Sequence, residues 1–365
     1  MKNSATTRSF RKSTIKEVAA HAGVSTTTVS LFVSGRESVC SPETAERIRT
    51  AVTKLNYTPS SLTRGLRQRS STTIGVCMPN PLDFGVAYGT SFFEGLWRGI
   101  MHQSDIEDYS LLHYPVSVRL GTGWEEFLDG RVDGLLVHDH ENDRSQHLAS
   151  AGMPLVMLTR SIDLPSGCGA AWADENKVVD LALTHLWNLG HRRIAHVAGP
   201  IGDRAGIPKP DILTALDNDD VAVRRIIAYS DWMKSHDVYD PRLIGYVQAW
   251  SAPQAPEVLS AWLALEEPPT AVFCANDAQA LDIMAAAQEA GLQIPNDLSV
   301  VGVDNSAPAR DSLPPLTSVA IPVEEIGRQA VKALLRLIQG EPLQHCRTAV
   351  PVGTLVVRSS TAARP

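Results

Sequence analysis

The spacing of apolar residues near the start of the chain predicts a set of short helices. Apolar positions recur at helical intervals over residues 15–22, and Thr14 and Glu17 at the start of this stretch have the form of a capping box. Gly23 ends the predicted helix, and Ser25 is placed to cap a second one. Two helices joined by such a short, glycine-containing turn are typical of the helix-turn-helix motif.

A third helix is predicted after Ser41 and Pro42, which have the form of an N-cap followed by the first helical residue. Its apolar residues share one face, which consists of Ala45, Ile48, Val52 and Leu55. We therefore expect a helix-turn-helix domain over residues 14–58, preceded by a polar, disordered tail at 1–13.

Residues 59–72 connect this domain to the rest of the chain. They contain one short amphipathic stretch, whose apolar surface is little more than Leu62 and Leu66. A helix of so few turns is marginal by itself because nucleation is costly. We therefore expect a hinge helix and linker, in which the helix folds only against a partner.

From residue 73 to 361, short apolar runs alternate with stretches of helical period. Such alternation is typical of parallel sheets covered by helices, and at this length we expect two sheets with a ligand cleft at the carboxyl ends of their strands. The predicted strands are Ile74–Cys77, Leu111–His113, Gly134–Val137, Leu155–Leu158, Ile194–Val197, Ala271–Cys274 and Ser299–Val303, with helices such as Val178–Leu189, Pro256–Leu265 and Ala278–Ala290. The predicted fold class is an all-α helix-turn-helix head plus an α/β domain of two parallel-sheet lobes.

Charge is divided unequally between these regions. Residues 1–70 contain twelve Lys or Arg and only four acidic side chains, although the whole chain has a net charge of −7. A basic head on an acidic body is typical of a polyanion-binding module attached to a domain with another task. With the helix-turn-helix pattern, it indicates double-stranded DNA as a partner.

The second helix carries the candidate DNA-reading side chains, because the first residues of such a helix reach base edges in the major groove. Thr26 and Thr27 occupy those positions, whereas Thr28 and Ser30 are better placed for phosphates. A threonine can hydrogen-bond to a base edge or set its methyl group against that of thymine. The alternative is a helical hairpin that serves only for packing, which the basic excess disfavours.

Metal and disulfide chemistry has little support in the sequence. The five cysteines are far apart and form no Cys-x-x-Cys pair, so we expect neither a disulfide framework nor a zinc site. The run from His138 to Glu141 follows a predicted strand and leaves a metal site open as an alternative. Adjacent residues of an extended chain point to opposite sides, so a polar loop at the cleft is the favoured interpretation.

Other classes of protein are also disfavoured. No nucleophile–base set, Walker loop or dinucleotide fingerprint is recognisable, so we expect no enzyme and no cofactor. No apolar run reaches the length of a membrane helix, and the start lacks the apolar core of a secretion signal. We therefore expect a cytoplasmic protein rather than a membrane protein or a secreted sugar receptor.

A set of ordered motifs runs through almost the whole chain. The head contains Thr14-Ile-Lys-Glu-Val-Ala-x-x-Ala-Gly-Val-Ser-x-x-Thr-Val-Ser, and the body contains Val132-Asp-Gly-Leu-Leu-Val, His185-Leu-x-x-Leu-Gly-His-Arg-Arg-Ile-Ala, Cys274-Ala-Asn-Asp-Ala and Gly291-Leu-x-Ile-Pro. Each motif alone is modest, but their order and spacing are specific. Through them the chain resembles the lactose-repressor (LacI/GalR) family of bacterial transcription regulators, which implies a periplasmic-binding-protein-like effector domain.

The resemblance implies a first lobe of about 73–189 and 323–350 and a second lobe of about 190–322 and 351–361. It also implies a homodimer on a pseudo-palindromic operator, with Leu66 as an apolar wedge in the minor groove; the alternative for this leucine is packing between two hinge helices. The implied DNA-binding set is Thr14, Ser25, Thr26, Thr27, Thr28, Ser30, Leu31, Tyr57 and Leu66.

The resemblance also places five side chains in an effector cleft. Asp304 would accept hydrogen bonds from ligand hydroxyls, and Arg225 and Asn276 would donate them. Trp250 would offer a flat apolar face to a sugar ring, and Asp174 would add a further polar group. The alternatives are a strand-end cap for Asp304 and a turn role for Asn276. We expect a carbohydrate or a derivative as effector, with a nucleobase or another small metabolite left open.

Departures from the family pattern limit what the resemblance transfers. Leu31 stands where many relatives have arginine, and a leucine cannot donate to guanine, so base preference should differ. Glu175 stands where relatives usually have asparagine, and residues 201–222 form an insertion before Arg225. The resemblance thus implies an effector-controlled regulator, most often a repressor, without naming its ligand.

Overall fold

The computed structural model describes residues 13–33, 40–57, 70–78, 90–114, 127–138, 142–162, 164–200 and 221–364. The chain divides into two compact units, Met1–Thr72 and Thr73–Pro365. Several predicted features lie outside the described residues: the tail before Ser13, Leu66 with most of the hinge, residues 139–141 and most of the insertion. Among the described helices, none combines the length and apolarity needed to cross a membrane.

Three helices form the described head: α1 (Ile15–Ala22), α2 (Thr26–Val33) and α3 (Pro42–Lys54). The predicted capping box is confirmed, since Thr14 and Glu17 cap each other and the Glu17 carboxylate accepts from the Thr14 backbone N–H at 2.7 Å. Gly23 closes α1 with a left-handed φ of 62°, which a residue with a side chain rarely adopts. Local sequence therefore sets where α1 begins and ends.

The other two helices begin at the predicted caps. Ser25 Oγ accepts from the backbone N–H of Thr28 at 3.0 Å, and Ser41 Oγ caps α3 in the same way. The predicted inward face of α3 is displaced, because Ala51 is fully buried whereas Val52 and Leu55 are only partly so. The core of the head consists of Val18, Ala19, Ala22, Val29, Phe32, Ala45, Ile48 and Ala51.

The described residues of the second unit form two sheets. The first contains β1 (Thr73–Cys77), β2 (Ser110–Tyr114), β3 (Gly134–Val137), β4 (Leu155–Leu158), β5 (Gly169–Ala173) and β11 (Arg347–Val350). The second contains β6 (Ile194–Ala198), β7 (Ile244–Tyr246), β8 (Ala271–Cys274), β9 (Ser299–Val303), β10 (Thr317–Val319) and β12 (Leu355–Val356).

The strand order is β11-β5-β4-β3-β1-β2 in the first sheet and β12-β10-β9-β8-β6-β7 in the second. All neighbours pair in parallel except the edge strand β12, which runs antiparallel to β10. The predicted architecture of two parallel-sheet lobes is thus confirmed. Because the strands of each sheet run in parallel, their carboxyl ends meet at one edge, where ligands of such sheets bind.

Helices cover these sheets: α4 (Thr90–Ile106), α5 (Asn142–Ser150), α6 (Glu175–Asn188), α7 (Val221–Ser235), α8 (Ala255–Leu263), α9 (Asp277–Glu289), α10 (Ala307–Asp311) and α11 (Val323–Ile338). Helix α11 packs against α4 and the first sheet, and α7 packs against α6 and β6 of the second sheet. The chain crosses between the sheets after β5, after β10 and after β11.

Helix α6 lies in the second lobe, whereas the implied boundary near residue 189 assigns it to the first. Its apolar face, which includes Val178, Ala182 and Leu186, is buried where the helix packs against α7 and β8–β10. His185 Nε2 also lies 3.0 Å from Thr361 Oγ1. Helix α6 thus follows a strand of the first sheet but buries its apolar face on the second, and the lobe boundary stays a prediction. The crossing therefore occurs directly after β5.

Candidate DNA and effector sites

The first turn of α2 is the exposed end of the head's second helix. The side chains of Thr26 and Thr27 are exposed and make no hydrogen bond to another described residue, whereas Ser30 and Leu31 further along are half-buried. The opposite face of α2 is anchored in the core of the head. An anchored helix with a polar, open first turn can bring its threonines to base edges.

Three other residues of the implied DNA-binding set have structural roles in the head. Thr14 caps α1 and Ser25 caps α2, where the Thr28 hydroxyl lies 2.8 Å from the Ser25 hydroxyl. Tyr57 packs beside the core, and burial raises the pKa of its phenol. Thr14 and Ser25 thus fix the starts of α1 and α2, and Tyr57 adds to the core of the head.

Four of the five implied effector residues lie at the carboxyl edge of the second sheet. Trp250, Asn276 and Asp304 follow β7, β8 and β9, respectively. Arg225 reaches the same edge from the second turn of α7, where it donates to the carbonyl after β8. The Trp250 ring lies against Gly199, where an added Cβ would come within 2.8 Å of the indole. The position of the Trp250 indole therefore requires a glycine at residue 199.

Asn276 and Asp174 both cap helices. Asn276 Oδ1 accepts from the backbone N–H of Gln279 at 2.8 Å, and its Nδ2 donates to the Trp250 carbonyl at 2.9 Å. Asp174 Oδ1 accepts from two backbone N–H groups in the first turn of α6. The turn role considered for Asn276 is thus present, and this amide also ties the Trp250 segment to α9.

The guanidinium of Arg225 is held by two partners. Its Nε donates to Glu175 Oε2 at 2.6 Å, and the two side chains are only 5% and 7% exposed. Its Nη1 donates to the carbonyl of Ala275. Nη2 makes no hydrogen bond with a described residue, so its two N–H groups, together with the second N–H of Nη1, are the donors of Arg225 left for a ligand.

Asp304 sits in a turn that is held in an unusual conformation. Its φ is 109° and that of Asn305 is 56°, both in the left-handed region that favours glycine. The Asp277 carboxylate accepts from the Ser306 N–H at 2.7 Å and from the Ser318 hydroxyl at 2.6 Å. Ser318 Oγ in turn accepts from the Asn305 N–H at 2.9 Å. Such strain persists because these bonds over-determine the turn.

The electrostatic setting of this turn disfavours negative charge. Burial raises the pKa of Asp304, the carboxylate of Asp277 adds to the rise, and Arg225 opposes it. Burial likewise raises the pKa of Asp277 to about 6, although the hydrogen bonds that its carboxylate accepts lower this pKa. The side chain of Asp304 makes no hydrogen bond to another described residue. The site therefore holds an open acceptor that a hydrogen-bond donor would stabilise.

One side chain joins the two sheets next to this site. Arg224 Nη2 donates to the carbonyl of Thr159, which follows β4 of the first sheet, at 2.6 Å, and Nη1 donates to Ser161 Oγ at 2.9 Å. Its neighbour Arg225 binds the edge of the second sheet and Glu175, at the crossing between them. The start of α7 therefore contacts both lobes at the cleft.

Sequence reasoning alone does not find Glu175, Asp277 and Arg224 as members of the site. Glu175 is marked in the sequence only as a departure from the family pattern, and its partner is 50 residues away. Arg224 carries no sequence signal except its place beside Arg225, and Asp277 is part of the Cys274-Ala-Asn-Asp-Ala motif without an assigned role. Their roles follow from contacts across the fold.

Replacing the open carboxylate tests this electrostatic account. A carboxyl group whose folded pKa lies above its unfolded value near 4 stabilises the fold at low pH, and this stability is lost as pH rises through the folded pKa. Asp304→Asn does not lose stability in this way because an asparagine side chain does not ionise. Asparagine also tolerates the left-handed backbone. Calorimetry should show a melting temperature for the variant about 2 °C or more above wild type at pH 7.5, with the gap closing toward pH 4.

The matched control is Asp311→Asn, in the same lobe. Asp311 is exposed and its ion pair with Arg310 lowers its pKa, so this variant should gain no stability at pH 7.5. An Asp304→Asn protein that melts below wild type at pH 7.5 would show that the carboxylate is well accommodated, contrary to this description.

Family models match three successive segments of the chain. Residues 14–60 match the bacterial regulatory proteins of the lacI family. Residues 73–208 match the periplasmic binding proteins and sugar-binding domain of the LacI family. Residues 183–361 match a periplasmic binding protein-like domain. The head and both lobes are therefore covered.

Whole-chain relatives agree with these models. The chain is 31% identical to the HTH-type transcriptional repressor PurR of Vibrio atlanticus, over 95% of this chain and 98% of that protein. It is 29% identical to the ribose operon repressor of Haemophilus influenzae, over 95% and 98%. The crystal structure of the lac repressor dimer bound to operator and the anti-inducer ONPF matches with a TM-score of 0.78 and 26% identity, over 97% of this chain and all of that one. The chain therefore belongs to the lacI family of bacterial regulatory proteins, DNA-binding transcriptional repressors with an effector-binding domain.

Proposed function

We propose that this chain is a cytoplasmic repressor that binds a pseudo-palindromic operator as a homodimer. A small carbohydrate, or a derivative of one, bound in the cleft controls its affinity for the operator. The cleft-edge geometry carries the effector part of the proposal. An open carboxylate on Asp304, the remaining N–H donors of Arg225 and the indole of Trp250 lie at the carboxyl edge of one sheet. Few convergent polar groups beside an aromatic wall are what a small polar ligand requires.

A carbohydrate suits this set because each of its hydroxyls both donates and accepts. Hydroxyls on adjacent carbons can donate to the two oxygens of Asp304, and the same ligand can accept from Arg225 Nη2. The apolar face of a sugar ring can lie on the indole of Trp250. Several named relatives are repressors, one of them of a ribose operon, which supports the assignment to repression.

Control of DNA binding follows from linkage. Arg224 and Arg225 join the start of α7 to both sheets, so a ligand at this edge acts on the contacts that set the relation between the lobes. Two heads on one dimer fit two half-sites only at one spacing, and a change of lobe orientation alters that fit. Ligand affinity and DNA affinity must then change by the same factor. Dimerisation is part of the proposal because a single short head makes few base contacts.

Base reading by the head is tested by Thr27→Ala. Selection from a randomised duplex library should enrich an inverted repeat for the wild-type protein. The variant should lose preference at one position of each half-site and bind the preferred sequence roughly tenfold more weakly, since a lost base contact costs about 1–3 kcal/mol. Sequencing of the selected pools and anisotropy titrations measure both effects.

Thr53→Ala is the matched control, because Thr53 is an exposed threonine on another helix of the same head. Its selected sequences should equal those of wild type. An unchanged base preference in the Thr27→Ala protein would remove Thr27 from the reading surface.

The effector site is tested by a thermal-shift screen of the full chain against sugars, sugar phosphates and nucleobases. A ligand at 100-fold excess over its Kd stabilises the folded protein by about 2.7 kcal/mol, which gives a clear shift. A true effector should shift the wild-type protein and not Asp304→Asn. A compound that shifts both proteins equally binds elsewhere, and a nucleobase as the only Asp304-dependent hit would replace the carbohydrate assignment.

A further inference from the structure

The ion pair between Arg225 and Glu175 changes what the effector site can accept. We propose that Glu175, by neutralising Arg225, makes the cleft select a neutral or positively charged polyhydroxyl compound and reject an anionic one such as a sugar phosphate or a sugar acid. This inference rests on the proposed function, since it concerns the ligand of the same site. It assigns to Glu175 a role in specificity that lies outside the implied site residues.

The contact geometry supports this role. Arg225 Nε and Glu175 Oε2 are 2.6 Å apart, and both side chains are more than nine-tenths buried. The second contact of Arg225, to the Ala275 carbonyl, fixes the plane of its guanidinium. An anion in the cleft would have to compete with a carboxylate that is already in place and already dehydrated. Arg225 can therefore offer a ligand the remaining N–H groups of Nη1 and Nη2 but little net charge.

The charged groups that act directly on the Asp304 carboxylate are mostly negative, whereas the nearby cations Arg224 and Arg358 donate to neutral oxygens of Thr159 and Asn305. The charged groups that act on the Asp304 carboxylate are Asp277, Arg225 and Glu175, so two negative groups face it with one positive group. Asp277 is occupied by the Ser306 N–H and the Ser318 hydroxyl. The side chain of Asp304, by contrast, makes no hydrogen bond with another described residue. The group left to bind a ligand is thus the Asp304 carboxylate, which lies beside the neutral ion pair of Arg225 and Glu175.

Ligand chemistry follows from this balance. Hydroxyls donate to a carboxylate without adding charge, and an ammonium group would also offset the excess of negative charge. A phosphate or carboxylate on the ligand would instead be placed against Asp304, and like charges in a desolvated site are strongly unfavourable. A discrimination of about tenfold or more against the anionic member of a matched pair is expected from such a contact.

Calorimetric titration of the full-length protein with compounds matched on one skeleton tests the inference. The hexose set is glucose, glucosamine, glucose 6-phosphate and glucuronate, and the pentose set is ribose and ribose 5-phosphate. Wild type should bind the neutral or amino member of a set at least about tenfold more tightly than its anionic members. Glu175→Gln keeps a hydrogen-bond acceptor for Arg225 but removes the charge, so it should lower that ratio by about tenfold.

Two further variants isolate the charge of Glu175. Glu175→Asp retains the carboxylate and should keep the wild-type preference. Asp180→Asn removes a carboxylate from the same helix, where Asp180 pairs with Lys177 in solvent, and should leave the ratio unchanged. If Glu175→Gln does not fold, the wild-type ratio within each matched set still decides the matter.

The outcomes separate this inference from the proposed function. Tighter binding of an anionic member by wild type, abolished in Asp304→Asn, would overturn the charge rule and leave the effector site standing. An unchanged ratio in folded Glu175→Gln would remove Glu175 from specificity. If no member binds either protein, both the carbohydrate site and the charge rule are overturned.

Discussion

The buried ion pair of Arg225 and Glu175 is the contact on which the effector domain's cleft depends. Glu175 begins α6 directly after β5, where the chain first crosses from the first sheet to the second, and Arg225 lies on α7, which packs against the second sheet. Breaking a buried pair by removal of one partner costs about 3–5 kcal/mol, because the other charge remains uncompensated. The pair therefore holds the point at which the chain passes from one lobe to the other, and Arg224 beside it binds the first sheet.

A second constraint lies in the turn that presents Asp304. Its backbone adopts angles that suit glycine, and its carboxylate lies where burial and a neighbouring carboxylate disfavour charge. Both features cost stability in the absence of ligand. Sites that bind small molecules are often strained and destabilised in this way, because the strain is relieved when the ligand arrives. Asp277 in α9 and Ser318 in β10 hold the turn in place.

Sequence pattern predicts the strands that contain a run of large apolar residues well and the others poorly. β3, β4, β8 and β9 have the bounds that the apolar runs predict. β5 has the sequence Gly-Ala-Ala-Trp-Ala, and β10 and β12 have three and two residues, so neither composition nor period distinguishes them from loops. Their pairing is set by neighbouring strands.

The sequence likewise predicts some residues of the candidate site and misses others. The resemblance assigns Arg225, Trp250, Asn276 and Asp304 to one site, and the fold brings them to one edge, because three of them follow strands of the second sheet and Arg225 lies in the second turn of α7. It does not indicate that Arg225 is paired, since its partner departs from the family pattern. Nor does it place α6, because a helix's lobe depends on which sheet complements its apolar face rather than on which strand precedes it.

The most direct test of the whole account is linkage between the cleft and the head. The measurement is the Kd for a selected operator duplex, by fluorescence anisotropy, without ligand and with a saturating concentration of a compound whose binding depends on Asp304. The account predicts a change of about 5–150-fold, and a change of the ligand's Kd by the same factor when DNA is added. An operator Kd that stays constant at saturating ligand would contradict it, because the cleft would then bind a molecule without controlling the DNA-binding head.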